Sequence, residues 1–574
     1  MIQDLLHSHI TSSLSFQIKE GSYEIQIPPA WQEGDFAVPC FPFAKILGKS
    51  PVEAAQLLGA SLESDDLVSS VQVAGPFVNV TLRDDFYSRA LSGYEVPMYE
   101  QKDKNVVVDY IGANIGKPLH VGHLCTPSYG QAIINLLRYR WYNVIGDVHQ
   151  WDWGIIFWKL IVAWKKFWDD AKFEENAVDH LLDLYVQVSN AAKDDESLEE
   201  EFRETFKRLA AGDKEMVELW KRFTGVSIER LNEVMERLLV KYDYAVGESF
   251  YEWLDLPPVT DQPNLPKPEC VMSEIVEELI DKWIATRNDD GSAGITFPKE
   301  SKLPSVMLQK RNGTHGYLAS DLSTIRYRKI VWDVSKIIVC TDVPQKLHFQ
   351  QVFWTTKQAG WWFENVELYH SINGSVRLKE WAMSTRKGRI VRLEEVLDEG
   401  EARVSEILKE KGRELDASDI AGISVWAIKY AFLAQDRERD IIFDWDKILA
   451  FEGNSGPYVQ YSIVRIRKLL EQLSDIKDVK DTPELTQYDK KLVQDLLFFE
   501  AELDQAATTY KFHGLVSYCY EMANHVNSFY TNTGKLTEEK NTDLKAFRVQ
   551  LLRKILSVFE LSFEILALPI PNKM

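Results

Sequence analysis

The chain is poor in cysteine: five residues, Cys40, Cys125, Cys270, Cys340 and Cys519, are scattered over 574 positions without one CxxC pair. That spacing excludes a disulfide framework and a zinc-ribbon signature, and a reducing compartment is the simplest reading. Long hydrophobic runs are missing too. The most apolar stretch, Gly154 to Trp168, is interrupted by Lys159, Lys165 and Lys166, too short and too charged to span a bilayer. Met1 to Ser15 lacks a basic start followed by an apolar core, so no signal peptide is expected. Basic charge is in deficit: 66 Lys and Arg stand against 87 Asp and Glu, a net charge of -21. A uniformly basic nucleic-acid binder is thereby excluded, and any RNA contact must come from confined basic strips on an acidic body. Internal repeats and low-complexity tracts are also lacking. What remains, 45% hydrophobic and 27% charged, is an ordinary globular composition long enough for several domains.

Three divisions are predicted. Residues 1–98 read as α+β: a helix-like run (Ile2, Leu5, Leu6, Ile10), an alternating strand Tyr23 to Ile27, a helix over Lys45 to Leu62 and a strand Phe77 to Leu82. Gln101 to Lys104 reads as a polar link. Residues 103–395 begin with Val106-Val107-Val108, a continuous apolar run of the kind buried in parallel sheets. A glycine turn, a helix over Val121 to Tyr139 and a strand over Trp141 to Val148 follow, giving a βαβ unit and hence a Rossmann-type candidate. Charged helices at about 160–300, for example Leu198 to Arg237, read as an insertion. Sheet strands are predicted to resume at Val306 to Leu308, Ile337 to Cys340 and Val366 to Tyr369. Residues 396–574 carry apolar positions at helical spacing (Val425 to Leu433, Val459 to Leu470, Leu492 to Leu503, Phe547 to Leu566) and read as an all-α bundle. The fold class is therefore multidomain α/β.

The sharpest chemical signal is Asn114-Ile-Gly-Lys-Pro-Leu-His-Val-Gly-His123. It follows a strand and opens a helix, whose first turn offers N–H groups and positive potential to phosphate. His120 and His123, three apart, share a face there and supply two imidazole donors. Gly122 leaves room for a purine to approach the backbone. With Asp152-Trp153-Gly154 downstream, the segment resembles the signature of class I aminoacyl-tRNA synthetases, in their arginyl branch. The resemblance implies a Rossmann catalytic domain, ATP-dependent formation of arginyl-adenylate with release of pyrophosphate, and transfer of arginine to the 2′-hydroxyl of the tRNA's terminal adenosine.

Residue roles follow from the resemblance. His120, His123 and Lys117 are expected to act on the phosphates, with Gly116 and Gly122 shaping the ATP site. Met383-Ser384-Thr-Arg386-Lys387-Gly388 is similar to the family's mobile KMSKS-type loop, with Arg389 beyond it. Its first lysine is replaced by Ala382, and Lys117 is expected to supply the missing cation. Gly316-Tyr317-Leu-Ala-Ser-Asp321 resembles the arginine-recognition segment: the carboxylate would receive the guanidinium fork and the ring would stack on it. Asp109, Asn114 and Gln345 fall where the family places further arginine contacts. Such a site rejects lysine, a point charge, by leaving its own polar groups unpaired. Phe443-Asp-Trp-Asp446 and Phe451 to Tyr461 resemble the family's anticodon-binding domain, with Tyr458, Tyr461, Arg465, Tyr530 and the chain end at Met574 as expected anticodon contacts and Arg467 and Lys468 nearby. The N-terminal unit is similar to the family's extra tRNA-contacting domain. The partners implied are tRNA, arginine and ATP with substrate-borne magnesium; no protein-bound metal, no membrane contact, a monomer and a cytoplasmic location are expected, with arginine activation waiting on bound tRNA. Two other classes compete: a small-molecule adenylyltransferase, which would lack the C-terminal helices, and a synthetase-like RNA-binding paralogue without catalysis, to which Ala382 lends some support.

Overall fold

The computed structural model describes residues 25–28, 33–63, 66–252, 265–268, 271–378, 391–450, 453–476 and 481–571. By internal contacts the chain divides into two units. One comprises residues 1–97, 459–508 and 517–562; the other comprises 98–458, 509–516 and 563–574.

In the first unit, strands β1 (Phe36–Pro39), β2 (Val68–Ala74) and β3 (Phe77–Leu82) form an antiparallel sheet in the order β1-β3-β2. The helix expected over Lys45 to Leu62 is two helices, Phe41–Leu47 and Pro51–Leu62. Gly48 ends the first in a left-handed turn, and the second starts at a capping box between Ser50 and Glu53. Of the early strand, Gln26 forms one bridge to Ala37, while Tyr23 and the run from Ile2 to Ile10 lie outside the described residues. The sheet packs on C-terminal helices of the same unit: Lys490 pairs with Asp84 at 2.7 Å, and the Phe36 and Phe498 rings lie 6.2 Å apart. The N-terminal α+β segment and these helices, read from sequence as separate divisions, thus fall in one contact unit.

The second unit is built on a parallel sheet. Strand β4 (Lys102–Asp109) starts inside the stretch read as a polar link; Lys102 is held by pairing with Tyr142 and a 3.1 Å bond from its Nζ to the Tyr142 hydroxyl. Val106, Val107 and Val108 are buried, each contributing about 1.5–3 kcal/mol. Next come β5 (Tyr142–Gln150) and, after the insertion helices Ile155–Phe167, Ala177–Asp194, Ser197–Ala210 and Lys214–Arg237, β6 (Tyr244–Gly247). The expectation that 160–300 is helical fails at β6, which joins the parallel sheet beside β5. Four residues are too few to show a period above the surrounding charged helices. Strands β7 (Thr286–Arg287), β8 (Ala293–Ile295) and β9 (Val306–Gln309) form a separate antiparallel sheet. Val306 to Leu308 is therefore a strand, as predicted, but not one of the parallel set. Strands β10 (Val334–Asp342) and β11 (Glu367–Asn373) complete the main sheet, in the order β11-β10-β4-β5-β6.

That order reverses direction between β4 and β10: the chain proceeds outward through β5 and β6, then returns to place β10 on the other side of β4. Adjacent crossovers leave in opposite directions there and open a crevice at the carboxyl ends of the two strands. A short parallel pair joins β12 (Val376–Leu378) to β13 (Ile441–Phe443). The helices Leu393–Glu410 and Ala417–Leu433 group with the sheet unit. Among the described residues, no helix is long and apolar enough to cross a membrane.

Candidate active site

A cavity of about 480 Å³ opens at this crevice, within the usual range for ligand sites. Asp109 ends β4, Asp342 ends β10, and His149 and Trp151 sit at the carboxyl end of β5; all four line it. His120, Gly122 and His123 line it too, as do Asn114, Tyr317, Asp321 and Gln345. The histidine motif and the predicted arginine segment, almost two hundred positions apart in sequence, therefore meet in one cleft.

The histidine turn is ordered by its own backbone. After β4 the chain passes Asn114, bridged to Trp151, and Gly116, whose φ of 88° is left-handed. A 3₁₀ turn, Val121–Leu124, then runs into the helix Cys125–Tyr139. The His120 Nδ1 accepts the Gly122 N–H at 3.1 Å, and the His123 Nδ1 accepts the His120 N–H at 3.1 Å. An accepting Nδ1 places the proton of each neutral ring on Nε2. The rings lie 3.9 Å apart. Burial lowers the pKa of both; for His123, with help from the neighbouring His120, it falls to about 4. At neutral pH the pair is therefore two uncharged imidazoles with fixed Nε2–H donors.

The space above Gly122 is filled by the His120 imidazole, 2.8 Å from where a Cβ would stand, so any side chain there would displace that ring. The Val121 N–H is likewise spent, on the carbonyl of Val391 at 3.1 Å. Lys117 is exposed, with its ammonium 5.5 Å from the Tyr185 ring, and it does not line the cavity; it borders a smaller cleft beside the helix Lys214–Arg237. Gly116 is buried behind the turn. Ala382, Met383, Ser384, Arg386, Lys387 and Arg389 lie outside the described residues, as does Met574.

The opposite side of the cleft is acidic. The helix Tyr317–Trp332 presents Tyr317, 67% exposed and tilted 5.9 Å from the Trp151 ring, and one turn later Asp321. His348 Nε2 meets Asp321 Oδ2 at 2.5 Å. Burial alone would raise the Asp321 carboxyl, but the hydrogen bond and charge of His348, aided by His149 and Arg328, hold it below the usual range. Asp109 does not stand free. Its Oδ2 accepts Nη2 of the buried Arg328 at 2.8 Å, and its Oδ1 accepts the His149 N–H at 3.3 Å. Arg328 also reaches Asp147, with Nε on Oδ2 at 2.7 Å, so one internal guanidinium ties β4 to β5. The His149 ring is pinned between the Ser320 and Thr324 hydroxyls at 3.1 and 3.2 Å.

Several of these residues carried no motif that singled them out. Glu248 is one: buried, it opens the short helix after β6, and burial followed by the charges of Asp152 and Asp321 pushes its carboxyl well above the ordinary range. Asp152 holds that helix in place, accepting the Ser249 N–H at 2.9 Å and its hydroxyl at 2.7 Å. Gly247 is required for the approach, since a Cβ there would stand 2.1 Å from the Asp152 carboxylate. His149, Trp151, Asp342 and Glu248 all follow or end a sheet strand, the one signal that could have drawn attention to them.

The expected anticodon residues divide between the units. Tyr461, Arg465 and Tyr530 belong to the first unit and Tyr458 to the second. Tyr461 is 45% exposed. Tyr530 is half-buried with the Arg465 guanidinium 4.2 Å above its ring. Arg465 and Lys468 are exposed on their helix, while Arg467 pairs with Glu560 at 2.8 Å.

Comparison with known proteins covers the whole chain. Residues 89–445 match the family described as tRNA synthetases class I (R), catalytic domain; 459–574 match the DALR anticodon binding domain; and 1–82 match the arginyl tRNA synthetase N terminal domain. The chain is 34% identical over 546 residues to the arginine–tRNA ligase of Fusobacterium nucleatum, covering 92% of this chain and 91% of that protein. It is 34% identical over 561 residues to the arginine–tRNA ligase of Clostridium botulinum strain Hall, covering 96% of each. The solved Thermus thermophilus arginyl-tRNA synthetase superposes over 100% of both chains with a TM-score of 0.77 at 22% identity, a likeness of fold.

Proposed function

This chain belongs to the arginyl-tRNA synthetases of class I, and from that membership we infer that it is an arginine–tRNA ligase, which activates arginine with ATP and joins it to tRNA. The observation that carries the reading is the shared cleft, with neutral imidazole donors on one side and a carboxylate array on the other. The non-catalytic paralogue is not favoured, because the chain matches the catalytic domain and keeps both histidines and Asp321. The small adenylyltransferase is not favoured either, because the chain carries the match to an anticodon-binding domain.

In the first step the arginine carboxylate attacks the α-phosphorus of ATP in line and pyrophosphate leaves. The protein's work is positioning and charge stabilisation. The fixed Nε2–H groups of His120 and His123 donate to the phosphate oxygens, where negative charge grows in the transition state. Asp321 receives the guanidinium, with the Tyr317 ring against it, and Glu248, a buried acid whose carboxyl is raised in part by the charge of Asp321, would be favoured to ionise by an arriving cation. Asp109, neutralised from behind by Arg328, shapes the floor, Asn114 holds the α-amino and carboxyl end, and Gln345 is a polar lining residue of the arginine site. Gly116 and Gly122 keep the histidine turn compact, while Met383, Ser384, Arg386 and Lys387 close over pyrophosphate with Lys117 as the additional cation. Magnesium arrives with ATP as part of the substrate. In the second step the 2′-hydroxyl of the terminal adenosine attacks the adenylate. Tyr458, Tyr461, Arg465, Tyr530 and Met574 contact the anticodon, and residues 1–98 contact tRNA elsewhere. We assign the catalytic role to 103–395 and the anticodon role to 396–574, in a cytoplasmic monomer whose arginine activation requires bound tRNA.

The test is aminoacylation of bulk tRNA with each of the twenty amino acids, which should charge arginine alone. ATP–pyrophosphate exchange should depend on added tRNA and should fall in Lys117→Ala; exchange undiminished by that substitution would remove Lys117 from the mechanism.

A further inference from the structure

The acid assigned to the substrate guanidinium is already held by a base. Asp321 projects from the helix Tyr317–Trp332, and His348, in the first turn of the helix Lys346–Ala359, meets its Oδ2 at 2.5 Å. Both side chains line the cleft, with exposures of 17% for Asp321 and 24% for His348, so the pair sits at the cavity wall and not behind it. We propose that His348 is a positioning residue for arginine recognition, fixing one carboxylate oxygen of Asp321 so that the other faces the guanidinium, and that it gives up a proton when arginine binds. The inference rests on the reading of arginine as the substrate of this cleft.

The charges around the pair support this coupling. Burial works against protonation of His348, but the Asp321 hydrogen bond and charge outweigh it, so the free enzyme holds an imidazolium–carboxylate pair above the ordinary imidazole pKa. The other titratable groups are His149 on β5, Glu248 on its short helix, Asp342 at the end of β10, Arg328 on the Asp321 helix, Lys346 on the His348 helix and His370 on β11. His370 is depressed to about 4, chiefly by burial and partly by Arg437 and by His348 itself, so it remains neutral. Asp342, raised to about 6, is a second acid of this cleft that is ionised at neutral pH, but the carboxylate in contact with the imidazolium is that of Asp321. A guanidinium arriving on the same carboxylate places a second cation beside His348. The imidazolium then keeps its Nε2–H on Asp321, and its Nδ1 proton passes to solvent. The balance is one arginine cation bound and one proton released, with no bond formed or broken other than N–H.

The sign of the pH dependence follows. The His348 pKa is raised in the free enzyme and falls in the arginine complex, so arginine affinity weakens as pH drops between the two values, by up to about tenfold per pH unit for one proton. Glu248, ionised by the same cation, would add release of its own, and the variant must separate the two. His348→Asn retains an N–H donor for Asp321 and cannot titrate.

The experiment is calorimetric titration of L-arginine into the full-length enzyme at one pH in phosphate and in Tris, whose ionisation enthalpies differ, followed by Kd across pH 6–8. The wild type should release protons on binding, and His348→Asn should release measurably fewer and show a flatter Kd profile. Equal proton counts and superimposable profiles overturn the proposal. If the variant does not fold, Glu248→Gln takes its place: proton release that survives it supports His348, whereas release lost with it, or arginine binding without any release, overturns the proposal. A wild type that binds no arginine overturns the substrate reading and this proposal with it; binding without the proton difference overturns this proposal only.

Discussion

Replacing Arg328 by methionine tests the scaffold beneath the cleft. The guanidinium is 1% exposed and makes three hydrogen bonds: to Asp147 Oδ2 at 2.7 Å, Asp109 Oδ2 at 2.8 Å and the Asp147 carbonyl at 3.1 Å. Methionine fills most of the volume but supplies no donor. Two carboxylates on neighbouring strands then face each other in a buried site. Each lost bond to a charged group costs about 1.5–3 kcal/mol, and breaking a buried pair from one side costs about 3–5 kcal/mol, so a loss near 4 kcal/mol is expected at pH 7.5. The loss should shrink in acid. Burial already holds Asp147 up at about 6 despite the arginine, and without that cation it rises further. A carboxyl whose folded-state pKa lies above its unfolded value favours the folded state as pH falls through that raised value, by up to about 1.4 kcal/mol per unit for each group. Urea unfolding followed by tryptophan fluorescence at pH 7.5 and 5.5 reads both effects in the wild type, Arg328→Met, Asp147→Asn and the double variant. The double variant should be destabilised by clearly less than the sum of the singles. A wild-type midpoint for Arg328→Met at pH 7.5, or strict additivity, would refute the argument.

Three further outcomes are expected. Removing one imidazole donor, in His120→Ala or His123→Ala, should lower kcat for adenylate formation by about 10²–10³-fold; with His123 depressed to about 4, its protonation should leave no step in the pH–rate profile above pH 5, and a step near neutrality abolished by His123→Gln would contradict the neutral-donor role. Asp321→Asn should lower kcat/KM for arginine by roughly ten- to hundredfold, the worth of about 1.5–3 kcal/mol in a charged hydrogen bond, with little change in the KM for ATP. Tyr461→Ala should weaken tRNA binding by about 1–3 kcal/mol in a filter-binding assay, whereas Tyr530→Ala, whose ring is covered by Arg465, should act first on thermal stability; equal effects of the two on tRNA affinity would count against the distinction.

The sequence carried those features whose physics is local. Three consecutive valines announced a buried parallel strand, and the histidine motif between a strand and a helix announced a turn that lines the cleft. Helical spacing located the C-terminal helices, for example Gln487–Thr509 around Leu492 and Leu503. The Tyr317–Asp321 spacing placed both on one turn of a helix that lines the cleft. What only the tertiary structure decided depends on pairings between distant segments. The strand order, with β6 recruited from the insertion and Val306 to Leu308 diverted to another sheet, is a property of hydrogen-bonded neighbours that no single strand encodes. Gly122 was legible as a required glycine, but the neighbour requiring it, the folded-back His120 ring, was not. The charge states of the site were hidden for the same reason. Asp109 meets Arg328 from 219 positions away, and Asp321 meets His348 from 27, so the residues that set how each carboxylate is paired enter its surroundings only when the chain folds.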